Sequence, residues 1–344
     1  MTAETESCAS INTAMAKKMI NASICAYQIH EKSWTPGKGE KPVIRKEEGP
    51  NDAYFYNVTP FYQNEVCFIK NADKYTPLFT ASGKDEINAA LVGAMDDGNL
   101  VLAIRGTIPP SFTNNDIVAW ISDWCQDAEM EPVDWPMDCN GQKLSPKAEK
   151  GFAKAMNNLW PDIKKMIEDT VKAHKCTGVV ITGHSKGAAM TFLAATLIQQ
   201  HFPQFKNNIS VYAFAAPVVG NSDFQTAYQS MNLDTNTHRF QVENDVVPFL
   251  PLWSSANVFK AVKFPNILER GAWDVLASWV KSETANGYSA VGDFSFYSCS
   301  HQLVPNATAD GMPLTEVAKA ISALDITKVG DAHSAVKSYL PCFQ

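Results

Sequence analysis

The chain has 344 residues, of which 45% are hydrophobic and 19% charged, enough apolar material for a full core and against general disorder. A formal charge of −7 without any long Lys/Arg run argues against a nucleic-acid binder. No uninterrupted apolar stretch approaches the roughly 18 residues of a transmembrane helix. The N-terminus, MTAETESCASINTAMAKKMINAS, lacks a basic region followed by an apolar core, so no secretory signal is read there. The expectation is a chain that is cytoplasmic, leaves by a signal-less route, or has lost its leader. Its eight cysteines are irregularly spaced, and free, mostly buried thiols are expected in a core of this size. N-x-S/T sequons at Asn21, Asn57, Asn208 and Asn306 matter only in a eukaryotic secretory pathway.

In chain order, residues from about Ser7 to Gln28 carry Ile11, Met15, Met19, Ala22 and Ala26 at helical spacing and predict an amphipathic opening helix. Trp34 to Pro50, rich in Pro, Gly and charge, reads as loop. A meander follows: VCFIKN, LVGAM and NLVLAIRGT, the last two joined across Asp96-Asp97-Gly98-Asn99. Residues 108–122 start with two prolines and become amphipathic near Trp120. Lys147 to Lys172 predicts a long helix, with Phe152, Met156, Leu159, Ile163, Met166 and Ile167 on one side and Pro161 expected to kink or split it. Gly178–Thr182 reads as a strand, Ala188–Gln200 as a helix, and Ile209–Ala215 and Thr237–Val242 as further strands. Strands alternating with helices predict an α/β fold, with a mostly parallel sheet covered by helices. Without a repeat or low-complexity linker, 1–344 reads as one domain with insertions.

The sharpest local signal is Gly183-His184-Ser185-Lys186-Gly187, a G-x-S-x-G between an apolar strand and a helix of small residues. A tight strand-to-helix turn needs small residues at both ends. It leaves Ser185 exposed at a helix N-terminus, where backbone N–H groups favour a developing oxyanion. Ser185 is therefore the candidate nucleophile.

From here the sequence resembles the class 3 (fungal-type) lipase family of the α/β-hydrolase fold. Ile104-Arg105-Gly106-Thr107 is similar to the family's F-R-G-[ST], whose Ser/Thr supplies an oxyanion-hole donor. Trp120-Ile-Ser-Asp-Trp124 with Asp127 looks like its N-W-[IL]-x-D segment beside the lid. Lys150-Gly151-Phe152 resembles H-x-G-F, with Glu149 near the place of the His. Ala216-Pro-Val-Val-Gly-Asn221 is close to G-x-P-R-V-G-N, with Val for Arg. Glu243-Asn-Asp-Val-Val-Pro-Phe-Leu-Pro251 resembles N-x-x-D-x-V-P-x-[LF]-P with its Asn displaced. Asp331-Ala-His333-Ser resembles D-H-x-x-Y, although Tyr339 lies six residues after the His rather than three.

The resemblance implies a lid at 108–122 and a serine triad. An α/β-hydrolase triad runs in the chain order nucleophile, acid, base. Asp245 lies just past a predicted strand end, where catalytic groups gather in parallel sheets, and is the candidate acid; its bland alternative is a turn cap. Of the seven histidines, only His301 and His333 follow it. His333, in the polar loop KVGDAHSAV, is the base that the resemblance selects. His301, in FYSCSHQLV, reads as a packing residue, and His184 as structural. Lys186 N–H and Thr107 are the expected oxyanion donors, with Arg105 a structural ion-pair partner.

The expected reaction is hydrolysis of acyl esters of lipids through an acyl-enzyme, at a lipid–water interface if 108–122 is a lid. The aromatic-rich stretch 252–300 is a cap or acyl-binding wall, or equally a subdomain with a private core. A phospholipase A or other acyl esterase would use the same triad. A catalytically silent binding protein of this fold is the alternative from another class. No H-E-x-x-H or Gly-rich phosphate loop is present, so neither metal nor cofactor is expected.

Overall fold

The structure, a computed structural model, describes residues 12–27, 29–30, 45–46, 54–55, 76–82, 86–95, 97–107, 132–245, 247–249, 287–305, 307 and 331–344. The expected lid at 108–122, the strand VCFIKN and residues 252–286 of the expected cap lie outside them.

The opening helix α1 spans Thr13–Ala26, and Asn12 caps it by accepting from Met15 N–H at 3.0 Å. Short strands β1 (Ile29–His30), β2 (Arg45–Lys46) and β3 (Tyr54–Phe55) form a small antiparallel sheet. β2 thus falls inside the stretch expected to be loop; two residues are too few to show an alternating pattern. Strands β4 (Thr76–Ser82), β5 (Glu86–Ala94) and β6 (Asn99–Ile104) make an antiparallel meander. The β5–β6 turn closes with Met95 N–H on Asn99 O at 2.7 Å, and Asp97 Oδ1 accepts from Asn99 N–H.

β7 (Pro132–Asp134) and β8 (Lys147–Glu149) precede α2, Lys150–His174. The long helix predicted from Lys147 therefore begins three residues later. Glu149 is the reason: its carboxylate accepts from the N–H groups of Gly151 (2.9 Å) and Phe152 (2.7 Å), capping the first turn. Pro161 does not split α2, which runs on to Lys175 in the left-handed region. The predicted apolar side is buried at Phe152, Met156, Leu159, Ile163 and Ile167, with Met166 half-buried.

Strand β9 (Gly178–His184) leads into α3 (Lys186–His201), followed by β10 (Ile209–Phe214), β11 (Gly220–Asn221), α4 (Ser222–Ser230) and β12 (Thr237–Val242). β13 (Tyr288–Ser289) and β14 (Asp293–Tyr297) complete the described strands. The central sheet runs β14-β12-β10-β9-β6-β5-β4, parallel from β14 to β6 and antiparallel beyond. β13-β11-β8-β7 form a second, small sheet.

Both faces of the central sheet are covered. On one, α2, α3 and α4 pack through Met156, Leu159, Ile163, Phe192, Phe224 and Tyr228. On the other lie α1 and the C-terminal residues Ala335, Tyr339 and Phe343. A sheet buried on two sides explains why β9 reads as continuous apolar and small residues, every one of them buried. Asn221 joins the small sheet to α4, its Oδ1 accepting from Lys147 N–H (2.9 Å) and Phe224 N–H (2.8 Å).

Two sequence-level markers also find their places. The Asn21 sequon is closed, because its side chain is buried on α1 and donates to Lys17 O. Five cysteines are described, all free thiols: Cys25 and Cys176 buried, Cys139 and Cys342 half-buried, Cys299 exposed.

Candidate active site

The site forms at the C-terminal edge of the parallel strands. β9 is central, flanked by β6 and β10, so its last residues meet the ends of both neighbours: Gly183 pairs with Ile104, and His184 with Phe214. Ser185 then turns the chain into α3 with φ 59° and ψ −131°, a conformation costly for a residue with a side chain. The glycines on either side permit it. A Cβ on Gly183 would lie 2.5 Å from the backbone of Gly187. A Cβ on Gly187 would overlap Ile104 O and lie 2.8 Å from Arg105 C. Ser185 N–H bonds Phe214 O at 3.0 Å, and its carbonyl accepts from Ala188 N–H at 2.9 Å, so both sides of the turn are tied down.

Around this turn the structure brings together three of the residues singled out from the sequence. Ser185 Oγ lies 2.9 Å from His333 Nε2, and His333 Nδ1 lies 3.0 Å and 3.1 Å from the two carboxylate oxygens of Asp245. Asp245 is fully buried, just beyond β12, where Asn244 at φ 71° turns the chain inward and Asp245 N–H bonds Val242 O. Oδ1 also accepts from Val247 N–H at 3.0 Å. The His333 side chain keeps 16% of its surface exposed. A buried carboxylate, an imidazole and a hydroxyl in line can withdraw a proton from the hydroxyl and hold the resulting imidazolium.

His301 is not part of this line. It sits at φ 61° in the turn after β14, its N–H on Ser298 O. His184 faces the other way from Ser185, into the α1 side of the sheet, 2.9 Å from Tyr27 Oη through Nδ1.

Thr107 follows β6 beside the elbow, and its Oγ1 is buried with no hydrogen-bond partner among the described residues. Lys186 opens α3, where backbone N–H groups have no intrahelical acceptor, and no acidic residue stands in that turn. Arg105 is buried between these elements, close enough to Tyr27 for its charge to favour the phenolate.

One residue of the site was not assigned from the sequence. Tyr339 Oη donates to Asp245 Oδ2 and meets Val242 N–H at 3.4 Å. Burial, then the Asp245 charge, pushes its phenol pKa well above the usual range, so it remains a donor. Its reach depends on the wide π-helical turn Ala335–Tyr339, in which Tyr339 N–H returns to Ser334 O. The signal was present as the displaced Tyr of the D-H-x-x-Y resemblance; the turn that accommodates the longer spacing has no sequence signature.

Among the described residues, no three His, Cys, Asp or Glu side chains are placed to hold a metal ion. No helix among them is long and apolar enough to cross a membrane.

With this geometry in view, the chain can be compared with known proteins. Residues 101–255 match the family model described as Lipase (class 3). Over 168 residues the chain is 32% identical to "Secreted mono- and diacylglycerol lipase A" of Penicillium cyclopium, covering 48% of each chain. Over 106 residues it is 33% identical to "Phospholipase A1-II 1" of Oryza sativa subsp. indica, covering 31% of this chain and 26% of the rice protein. The match thus spans about half the length, or less, of such relatives. A solved structure of a mutant form of MDLA from Penicillium cyclopium superimposes with a TM-score of 0.54 at 19% identity, over 96% of this chain and 97% of the other; it shares the fold.

Proposed function

The chain belongs, through residues 101–255, to the class 3 lipase family, and from that premise we propose that it hydrolyses acyl esters of lipids as a serine hydrolase. The observation that carries this reading is the unbroken line from Asp245 through His333 to Ser185 at a strained strand-to-helix turn. Ser185 Oγ attacks the ester carbonyl carbon while its proton passes to His333 Nε2. Asp245 holds the ring orientation and stabilises the imidazolium without taking the proton. The oxyanion is received by Lys186 N–H and by Thr107, whose buried Oγ1 has no partner among the described residues, which supports that role. Collapse of the tetrahedral intermediate breaks the ester C–O bond, and His333 protonates the departing alcohol. Water then attacks the acyl-serine, gives a proton to His333, and releases the carboxylic acid with Ser185 restored.

Within this reading the chain is one domain, with 108–122 as a lid and 252–300 as a cap or acyl-binding wall. A phospholipase A is the second reading, favoured by the similarity to a rice protein named as a phospholipase A1. The two share the triad and differ in the pocket. A hydrolysis panel of p-nitrophenyl esters of graded length, triacylglycerols and phospholipids separates them. Lipase-type activity predicts turnover of the glycerides that Ser185→Ala abolishes. Turnover of phospholipids alone transfers the assignment, and no turnover of any ester overturns it.

A further inference from the structure

Side chains alternate along β9, so Thr182 and His184 both face α1. Thr182 Oγ1 lies 2.9 Å from Ser23 Oγ there, and His184 meets Tyr27 just past the helix end. His184 thereby sits where three segments converge: the end of α1, the end of β9 and the C-terminal turn. Its ring centroid is 4.8 Å from that of His333, 5.5 Å from Tyr339 and 5.9 Å from Tyr27, the last two edge-on. The residue is 4% exposed.

An aliphatic side chain would fill this space without burying two ring nitrogens, so the imidazole needs another reason. Tyr27 answers for Nδ1. Burial raises the Tyr27 phenol pKa, only partly offset by Arg105, so the hydroxyl stays protonated, 2.9 Å from Nδ1 and 3.5 Å from His184 O. Nε2 is buried with no side-chain partner among the described residues. Burial first, and the His333 imidazole second, hold the ring neutral against a weaker opposing pull from the His333 backbone. Gly106 admits the Tyr27 hydroxyl: a Cβ there would overlap Tyr27 Oη and crowd His184 O at 2.6 Å.

His333 needs such support. Its two nitrogens bond Asp245 and Ser185 and define one axis, and rocking about that axis is opposed by the groups packed on the ring, His184 among them. We propose that Tyr27 and His184 are a positioning pair for the His333 base: the Tyr27 hydroxyl locks the His184 ring, and the locked ring is the inner wall that keeps His333 in line. Neither touches the reacting atoms. Helix α1 thereby becomes part of the catalytic apparatus. The neutral wall also suits the chemistry, because a second charged ring beside His333 would oppose the imidazolium that forms during acyl transfer.

This inference rests on the triad reading and is tested on a soluble p-nitrophenyl ester by comparing Ser185→Ala, Tyr27→Phe, His184→Phe, His184→Ala and the Tyr27→Phe/His184→Ala double variant. Tyr27→Phe, which loses one hydroxyl, and His184→Phe, which keeps the ring but loses the acceptor, should each lower kcat about tenfold with KM unchanged. His184→Ala removes the wall and should lower kcat about a hundredfold. The double variant should be no slower than His184→Ala alone, because Tyr27 acts through His184. Wild-type kcat in Tyr27→Phe, losses that multiply in the double variant, or a fall in active protein that only follows the melting temperature would each overturn the proposal. Should His184→Ala fail to fold, the two Phe variants still decide it. Residual turnover in Ser185→Ala would bring down the triad reading itself, whereas an inactive Ser185→Ala beside a fully active Tyr27→Phe removes the positioning pair alone.

Discussion

Tyr339 Oη donates its hydrogen bond to Oδ2 of Asp245, the oxygen that lies 3.0 Å from His333 Nδ1. The buried carboxylate thus has three donors around it, counting Val247 N–H. A hydroxyl bonded to a charged acceptor in a buried site is among the stronger single hydrogen bonds. Tyr339→Phe keeps the ring packing against Phe214 and removes that bond together with the longer one from Val242 N–H. It should lower stability by about 1.5–3 kcal/mol and kcat by about tenfold, measured by urea unfolding and ester hydrolysis. Unchanged stability and kcat would show that the phenol merely fills space.

A second prediction concerns the elbow. At Gly187 an added methyl meets backbone of Ile104, Arg105 and Gly106, none of which can swing aside. Gly187→Ala should therefore cost about 2 kcal/mol or more. It should also displace the strand end that carries Thr107 and reduce kcat by more than tenfold. A folded variant with wild-type turnover would mean that the turn is looser than its contacts imply.

How much of this was readable in advance depends on the range of the interactions. The elbow was, since Gly-x-Ser-x-Gly between an apolar strand and a small-residue helix is a local pattern with a local cause. Asp245 followed from its place past a strand end, and His333 from chain order and the family resemblance. The small sheet was not, because strands of two and three residues show no period. The start of α2 was misjudged because Lys147–Glu149 continues the helical pattern until the Glu149 carboxylate turns back to cap it. Tyr339 and His184 act across segments far apart in sequence, and no spacing rule links Tyr27 to residue 184.

Pro161 offers a test of the helix alone. It is exposed in the middle of α2, where it lacks an N–H and crowds the preceding turn. Pro161→Ala should raise stability by about 1–3 kcal/mol, seen as a higher urea midpoint with activity unchanged. A loss of stability would show that the helix has adapted its course to the proline.

Two histidines, His184 buried and His238 half-buried, shape the acid limb of stability. His184 has its pKa lowered well below the ordinary value, first by burial and then by His333, and His238 is lowered by burial. Each binds its proton more weakly in the folded state than in the unfolded state. The stability they allow is complete above the unfolded value of about 6.5 and is lost as pH falls below it, approaching about 1.4 kcal/mol per pH unit for a fully buried group. Urea midpoints should decline between about pH 6.5 and 5, before most carboxylates titrate. In His184→Phe the decline should be shallower. An equally steep decline in that variant would remove His184 as its source.

The most direct measurement of the central claim is stoichiometric labelling of the protein by an alkyl organophosphonate ester, with the modified residue located by peptide mass spectrometry. The account predicts one phosphonate per chain, on Ser185, formed in step with loss of ester hydrolysis. Ser185→Ala should take up none, and His333→Ala should take it up far more slowly, whereas His301→Ala should react like the wild-type protein. Labelling at another residue, undiminished labelling in His333→Ala, or full hydrolytic activity in Ser185→Ala would contradict it.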